Sequence, residues 1–513
     1  MSGYLRRLAT TGAAYTAASV ISKLIAVALL PLYTRYLTPA DYGAAEVMFA
    51  AVVSASIVVR FGTIEALLRF YYKGDEDPAK VVSTSFAAPI SEALLDRPAA
   101  DLARIAIGGL WVLTMFEFML TLFRLEERAR AYFVTTILNV LAAIGLTVFL
   151  VVGQGEGARG LLLGSYVSGA IVALALIVIH RRRLSLWING PLLRRMTRFG
   201  LPTMPAELSL YSLNFIDRVL IVRLVGLGDA GLYSLSVKFA QAVNVLVKGF
   251  QLAWPPLAYS IEDDDEARRA YAVIVTWFVS VTTFVVAGMW LFSRWIVRAL
   301  AAPEFFDSYK TIGLVSTGVM LYALYLVLVI VLGRTGRTEF NFPATAAGTV
   351  VNIVLNLILL PSMGIVGAGI SLVASYAVVL VLMYVFTQRL FAVPYEWLRL
   401  GQAVGLAALL VLAGELLLPT SGIGGLAGRT AVWLAYPLLL YATGFLNEEE
   451  REAAGRVLSP SYVKASLQRL REAPPPEPEP ASGEKEEGAK DARRPRLTRE
   501  ALEAEQRDED AIR

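Results

Sequence analysis

The stretch ELSLYSLNFIDRVLIVRLVGLGDAG (Glu207–Gly231) has the apolar content of a membrane helix, yet an amide, an acid and a base stand at its middle. Glu207, Tyr211, Asn214 and Arg218 recur at steps of four, three and four, which places them on one helical face. Asp217 borders that face. Its neighbour Arg218 points about 100° away from it, so the two cannot pair as residues one turn apart do. A charge facing lipid costs ~2.5–3.5 kcal/mol on insertion scales, so the stripe should face protein or water. Two readings fit: a structural interhelical ion pair or snorkelling arginine, or the wall of a hydrated transport cavity. Pro202 and Pro205, near the start of the helix, add options for bending.

The rest of the chain sets the context. Of 513 residues, 56% are hydrophobic and only 18% charged, with a mean hydropathy of +0.58. Apolar runs long enough to cross about 30 Å of hydrocarbon recur throughout. They predict an all-α polytopic membrane protein with spans near 12–34, 44–67, 103–123, 132–152, 160–180, 201–224, 232–255, 270–292, 310–332, 341–361, 366–387, 401–419 and 427–446. The basic start with Arg6 and Arg7 resembles a signal peptide, but the run continues to Pro31 without a cleavage site and reads as the first span. Cysteine is absent and His180 is the only histidine, which excludes disulfides and thiolate chemistry and argues against histidine metal clusters and a Ser-His-Asp triad. The net charge of +4 fits basic cytoplasmic loops and not nucleic acid.

Charge placement sets the expected orientation. Arg6 and Arg7, then Arg69, Lys73 and Lys80, then Arg181–Arg183 with Arg194, Arg195 and Arg198, mark cytoplasmic ends. Arg334 and Arg337, then Arg389 and Arg399, continue the pattern. Lys80 and Arg124 conflict, because only the span 103–123 lies between them. An internal repeat bears on the same gap. YLTPADYG (Tyr36–Gly43) matches LVGLGDAG (Leu224–Gly231) at an offset of 188 residues. ARAYFVTTILN, ending at Asn139, matches FPATAAGTVVN, ending at Asn352, at an offset of 213. The difference is one membrane helix. The chain therefore reads as two pseudo-symmetric helical lobes plus two accessory helices, with an apparent missing third helix in the first lobe around 81–98. The boundaries are 1–183 for the shortened first lobe, 184–392 for the second, 393–446 for the accessory spans and 447–513 for a charged, Pro/Glu-rich, disordered cytoplasmic tail. Such duplicated lobes bind between their halves in transporters.

Other deep charges follow. Lys238, Gln241, Asn244 and Lys248 form one stripe on the next span, with Lys248 near the cytoplasmic end, where snorkelling is the default. Lys23 is central in the first span, Arg60 is deep in the second and Glu117 is deep in the span 103–123. Glu65 and Arg69 are spaced as a structural ion pair. The excess of Lys23, Arg60, Arg218 and Lys238 over Asp217 and Glu117 suits an anionic headgroup such as a phosphate or pyrophosphate. Asn214 and Gln241 complete the candidate substrate-binding set, while Asp217 and Glu117 are the candidates for coupling to a cation. GEGARG (Gly155–Gly160) lacks the strand–helix setting of a nucleotide site, and no phosphate-binding P-loop is present. The acidic run Glu262–Glu266 reads as a solvated loop rather than a divalent-ion site. No catalytic residue and no metal site is expected, and no cofactor apart from a coupling H+ or Na+.

The stretches ISKLIAVALLPLYTRYLTPADYGAAEV, RFGTIEALLRFYY (Arg60–Tyr72), Phe199–Ala240 and QLAWPPLAY (Gln251–Tyr259) resemble the polysaccharide biosynthesis flippases of the multidrug/oligosaccharidyl-lipid/polysaccharide exporter superfamily. The resemblance runs through residues 1–446. It implies fourteen helices around a basic central cavity and movement of undecaprenyl-pyrophosphate-linked oligosaccharide to the outer leaflet, coupled to a proton or sodium gradient. It places the family's Glu-Ala-Leu-Leu-Arg-Phe pattern on Glu65–Phe70, its Asp-Arg pair on Asp217 and Arg218, and its following lysine on Lys238. Partners would be the lipid-linked glycan, membrane lipids and a polysaccharide polymerase or glycosyltransferases, in a bacterial or archaeal cytoplasmic membrane with both termini inside. The departure from the family is AAPISEALLDRP (Ala87–Pro98), which stands where a long apolar third helix is due. A cation-coupled drug exporter, with an acid-dominated cavity, and a noncatalytic scaffold of an envelope assembly complex are the competing readings. A membrane glycosyltransferase fits least, because no large loop carries paired acids.

Overall fold

The computed structural model describes residues 17, 21–23, 25–60, 101–126, 128–181, 189–200, 204–447 and 450. The expectations for residues 81–98, for the pair Glu65 and Arg69 and for the tail beyond residue 450 lie outside them. Among the described residues there is no strand. The described residues up to Phe445 make one compact unit.

Residues 21–23 and 25–28 are helical and lead into α1 (Leu30–Tyr36). The chain turns at Leu37–Thr38 and enters α2 (Pro39–Arg60). The sequence dictates this start. The Thr38 hydroxyl accepts from the Asp41 N–H at 3.1 Å, and the Asp41 carboxylate accepts from the Thr38 hydroxyl at 2.7 Å and its N–H at 3.3 Å. Pro39 follows in the first helical position, where its missing N–H costs nothing. The expected span 44–67 therefore begins five residues earlier. Then come α3 (Asp101–Leu125), α4 (Ala129–Val148) with a π-helical end at Phe149–Gly153, and α5 (Gly157–His180). A short helix, α6 (Gly190–Gly200), tucks Leu192 and Met196 into an apolar cluster with α3 and α5 and leaves Arg194, Arg195 and Arg198 exposed.

The second half runs α7 (Met204–Leu224), α8 (Leu227–Ser260), α9 (Asp264–Leu300), a 3₁₀ turn at Pro303–Ser308, α10 (Tyr309–Arg334), α11 (Asn341–Met363) and α12 (Ile365–Leu390). Two further helices follow, α13 (Trp397–Leu417) and α14 (Gly422–Ala442). Ten helices among the described residues, α3–α5 and α8–α14, are long and apolar enough to cross a membrane. Thirteen spans were expected. The first two, 12–34 and 44–67, lie partly outside the described residues, and α7 carries too many charges to count by composition alone. The acidic run caps α9: the Asp263 carboxylate accepts from the Glu266 N–H at 2.7 Å, and Asp264 bridges Arg334 at 2.8 Å. Arg334 also donates to the carbonyls of Ala258, Ile261 and Glu262, so it binds the end of α8 to the start of α9.

The packing repeats as the sequence does. α2 packs on α3 as α8 packs on α10, α3 packs on α5 as α10 on α12, and α4 packs on α5 as α11 on α12. α9, which packs on α10, has no counterpart among the described residues. The two lobes meet where α2 crosses α8. A Cβ on Gly43 would lie 2.2 Å from the Leu227 carbonyl oxygen, and a Cβ on Gly231 would lie 1.9 Å from that of Pro39. Pro39 and Leu227 are themselves 188 residues apart, as Gly43 and Gly231 are. The contact is thus reciprocal, which is the signature of a local two-fold axis. Only glycine permits so close an approach of two helices.

α13 and α14 dock on α9 through polar pins. Glu415 accepts from Arg294 at 2.7 Å and is ion-paired with Arg429, whose side chain is fully buried. Arg429 also donates to the Leu291 carbonyl at 3.1 Å and lies over the Trp295 ring. The indole of Trp433 donates to the Phe284 carbonyl at 2.9 Å.

Candidate functional site

A cavity of about 560 Å³ lies between the two lobes, beside the α2–α8 crossing. Its wall is built from the helical residues 21–28, α2, α7, α8, α10 and α12. Periodicity explains which side chains reach it. On α8, Lys238, Gln241, Asn244 and Lys248 all line the cavity, as one stripe must. At a rise of 1.5 Å per residue this row of donors extends about 15 Å. On α7, Tyr211 and Arg218 line it from the same stripe. The backbones of Glu207 and Asn214 sit in α7 as expected, and their side chains lie outside the described residues.

The charges do not all have the same standing. Arg218 forms no ion pair or side-chain hydrogen bond among the described residues, and its Nε is buried without a partner. Lys238 pairs with Glu46 at 3.0 Å. Lys23 donates to the Gln241 side-chain Oε1 at 3.1 Å, and the same oxygen accepts from the Asn244 side-chain amide at 3.1 Å. Lys248, near the end where snorkelling is the default, is exposed and lines the cavity. Lys23, Arg218, Lys238 and Lys248 face Glu46 and Asp217, which leaves the wall cationic.

Asp217 is only 1% exposed. Its carboxylate accepts from the Tyr233 hydroxyl at 2.9 Å and from the Asn356 amide at 2.7 Å. That amide also donates to the Asn352 side chain at 3.2 Å. Neither Asp217 nor Arg218 forms a salt bridge among the described residues. The Asn356 carbonyl oxygen is buried without a partner. Asp217, Asn352 and Asn356 thus gather side-chain oxygens of the kind a proton or small hard cation uses.

Other expected residues stand apart. Arg60 is the last residue of α2, and its side chain lies outside the described residues. Glu117 sits half-buried on α3 and does not line this cavity. Sequence reasoning overlooked Glu46, Tyr233, Asn352 and Asn356. Glu46 had a visible signal, a lone acid in an apolar span, and Asn352 and Asn356 had theirs, two amides one helical turn apart. No group of three or more His, Cys, Asp or Glu side chains poised for a metal occurs among the described residues.

Helical lobes with ten helices long and apolar enough to cross a membrane among the described residues make this a multi-pass membrane protein. The family described as polysaccharide biosynthesis protein matches residues 32–309, more than half of the chain, and the protein belongs to that family. No match is found among curated proteins. The fold is similar to an inward-facing multidrug resistance MATE family transporter of the MOP superfamily, with 15% identity, 72% of this chain and 95% of that one covered, and a TM-score of 0.59. It is also similar to the lipid II flippase MurJ in an inward closed conformation, with 12% identity, coverage of 84% and 99%, and a TM-score of 0.55. An outward-facing MATE structure aligns at 15% identity over 75% and 95%, with a TM-score of 0.53.

Proposed function

We propose that the protein is a flippase that moves undecaprenyl-pyrophosphate-linked oligosaccharide across the cytoplasmic membrane of a bacterium or archaeon by alternating access. The observation that carries this reading is Arg218, a guanidinium with no ion pair or side-chain hydrogen bond among the described residues, on the wall of a cationic cavity. Arginine holds phosphate oxygens through paired N–H donors, and leaving one unpaired in a membrane protein is costly unless a ligand supplies the anion. Lys238, Lys23 and Lys248 supply further donors, Gln241 and Asn244 suit a sugar, and the prenyl chain stays in lipid. Asn214 and Arg60 remain proposed members of the set. A drug-cation exporter would need the opposite balance of charge.

The basic ends assign orientation. With Arg6 and Arg7 inside, the α1–α2 turn faces outward, and the Gly43–Gly231 crossing seals the outer end of the cavity. Rocking of the lobes would open this end and close the other. No covalent bond changes, so the function needs no catalytic group. Asp217, with Asn352 and Asn356, is the proposed exchange point for H+ or Na+, and Glu117 a second candidate on α3. A polymerase or glycosyltransferase would take up the delivered glycan.

The test is transbilayer movement of labelled undecaprenyl-diphosphate glycan in liposomes holding the purified chain. Movement above that of empty liposomes is expected, with Arg218→Ala reducing the rate at least about tenfold and Arg218→Lys retaining part of it. Folded protein that moves no lipid-linked glycan but exports a cationic drug would replace this reading with the exporter one.

A further inference from the structure

Lys238 is the only cavity lysine among the described residues that is held by an acid, and the acid comes from the other lobe. The Glu46 side chain is 6% exposed, whereas that of Lys238 is 37% exposed and faces the cavity. Glu46 stands one turn below Gly43, and Lys238 stands two turns below Gly231. The pair therefore spans the lobes just beneath their closest crossing. The hydroxyl of Tyr42, one turn back on α2, lies against the Glu46 carboxylate, and Tyr166 of α5 stands near enough to feel its charge.

We infer that Glu46 is a built-in counter-anion: it occupies Lys238 in the empty cavity, and an arriving diphosphate must displace it. This rests on the anionic-headgroup reading above and goes beyond it, because it makes an acid govern recognition of an anion. The geometry supports exchange. An ammonium has three donors, and Glu46 uses one, so a phosphate oxygen can engage Lys238 before the carboxylate lets go. Once Lys238 turns to the ligand, Glu46 keeps the Tyr42 hydroxyl but loses its charge partner while still buried. That lost pairing subtracts from the ligand's affinity. A weak anion that meets Lys238 alone gains too little to break the pair. A diphosphate that also engages the unpaired Arg218 gains enough. Glu46 thus selects against weakly charged ligands, and its release loosens a tie between the lobes only when the proper headgroup has bound.

The experiment measures binding of inorganic pyrophosphate to the full chain in nanodiscs of neutral lipid. Glu46→Gln, which keeps the shape and removes the charge, should bind about tenfold more tightly than the wild type, while moving lipid-linked glycan more slowly. Glu46→Asp keeps the charge and withdraws it by one methylene. It should tighten binding by an intermediate factor, and it tests the same point if the Gln variant fails to fold. If the wild type binds, Arg218→Ala weakens that binding, and neither Glu46 variant tightens it, the counter-anion role is overturned and the anionic-headgroup reading stands. If neither the wild type nor the Glu46 variants bind, the anionic-headgroup reading itself falls.

Discussion

At the scale of single residues, Asp217 and Arg218 are neighbours with opposite situations. Asp217 is buried at the cavity wall, where Tyr233 and Asn356 of the second lobe donate to its carboxylate. Arg218 faces the cavity with no such partners among the described residues. Removing Asp217 strands two buried donors. Asp217→Ala should therefore cost about 1–3 kcal/mol of stability, read as a lowered unfolding midpoint in detergent. Asp217→Asn keeps the shape and should assemble normally, yet its transport rate should no longer respond to an imposed proton or sodium gradient. An unchanged gradient response would move the coupling site elsewhere, with Glu117 the next residue to test. The sequence revealed Arg218, Lys238 and Gln241 because helical periodicity decides which side chains share a face. It did not reveal Glu46 or Asn356, because periodicity says nothing about which faces converge. That Lys248 lines a cavity was hidden for the same reason: distance to a helix end is visible in the sequence, and a neighbouring cavity is not.

At the scale of helices, the α2–α8 crossing and the α9–α13–α14 joint make separate predictions. At the crossing, Gly43→Ala places a methyl group against a main-chain carbonyl, which no rotamer change relieves. The helices must separate there. A membrane-impermeant thiol reagent added from the outer side should then label a cysteine placed at Ala50, which the wild-type background should protect. At the joint, Glu415→Ala leaves Arg294 and the fully buried Arg429 without their shared acid. A loss of about 3 kcal/mol is expected in an unfolding titration, with α13 and α14 released first. Most helices were legible as apolar runs. Their ends were not, since caps such as Thr38 with Asp41, and Asp263 with Glu266, extend helices into polar sequence. α6 escaped notice as a helix because its arginines read only as a charge mark.

At the scale of the molecule, duplication was legible because matched turns survive in both halves. The offsets of 188 and 213 register α2 with α8 and α4 with α11. The cavity between the lobes is cationic, so pyrophosphate binding should weaken as ionic strength rises, less steeply in Arg218→Ala than in the wild type. The unit ending at residue 445 contains the whole cavity. A chain lacking residues 451–513 should therefore move lipid-linked glycan at the wild-type rate, whereas a scaffold acting through the tail would lose its function.

The reciprocal glycine contact limits how this protein can vary. At most packed positions an enlarged side chain can be accommodated by shrinking its neighbour. Here the neighbour across the axis is already glycine, and the atoms it meets belong to the main chain. Neither half can compensate for a change in the other, so a suppressor of Gly43→Ala should never map to Gly231. It should map to residues that set the spacing of α2 and α8, or to those that favour the state in which this end stands open.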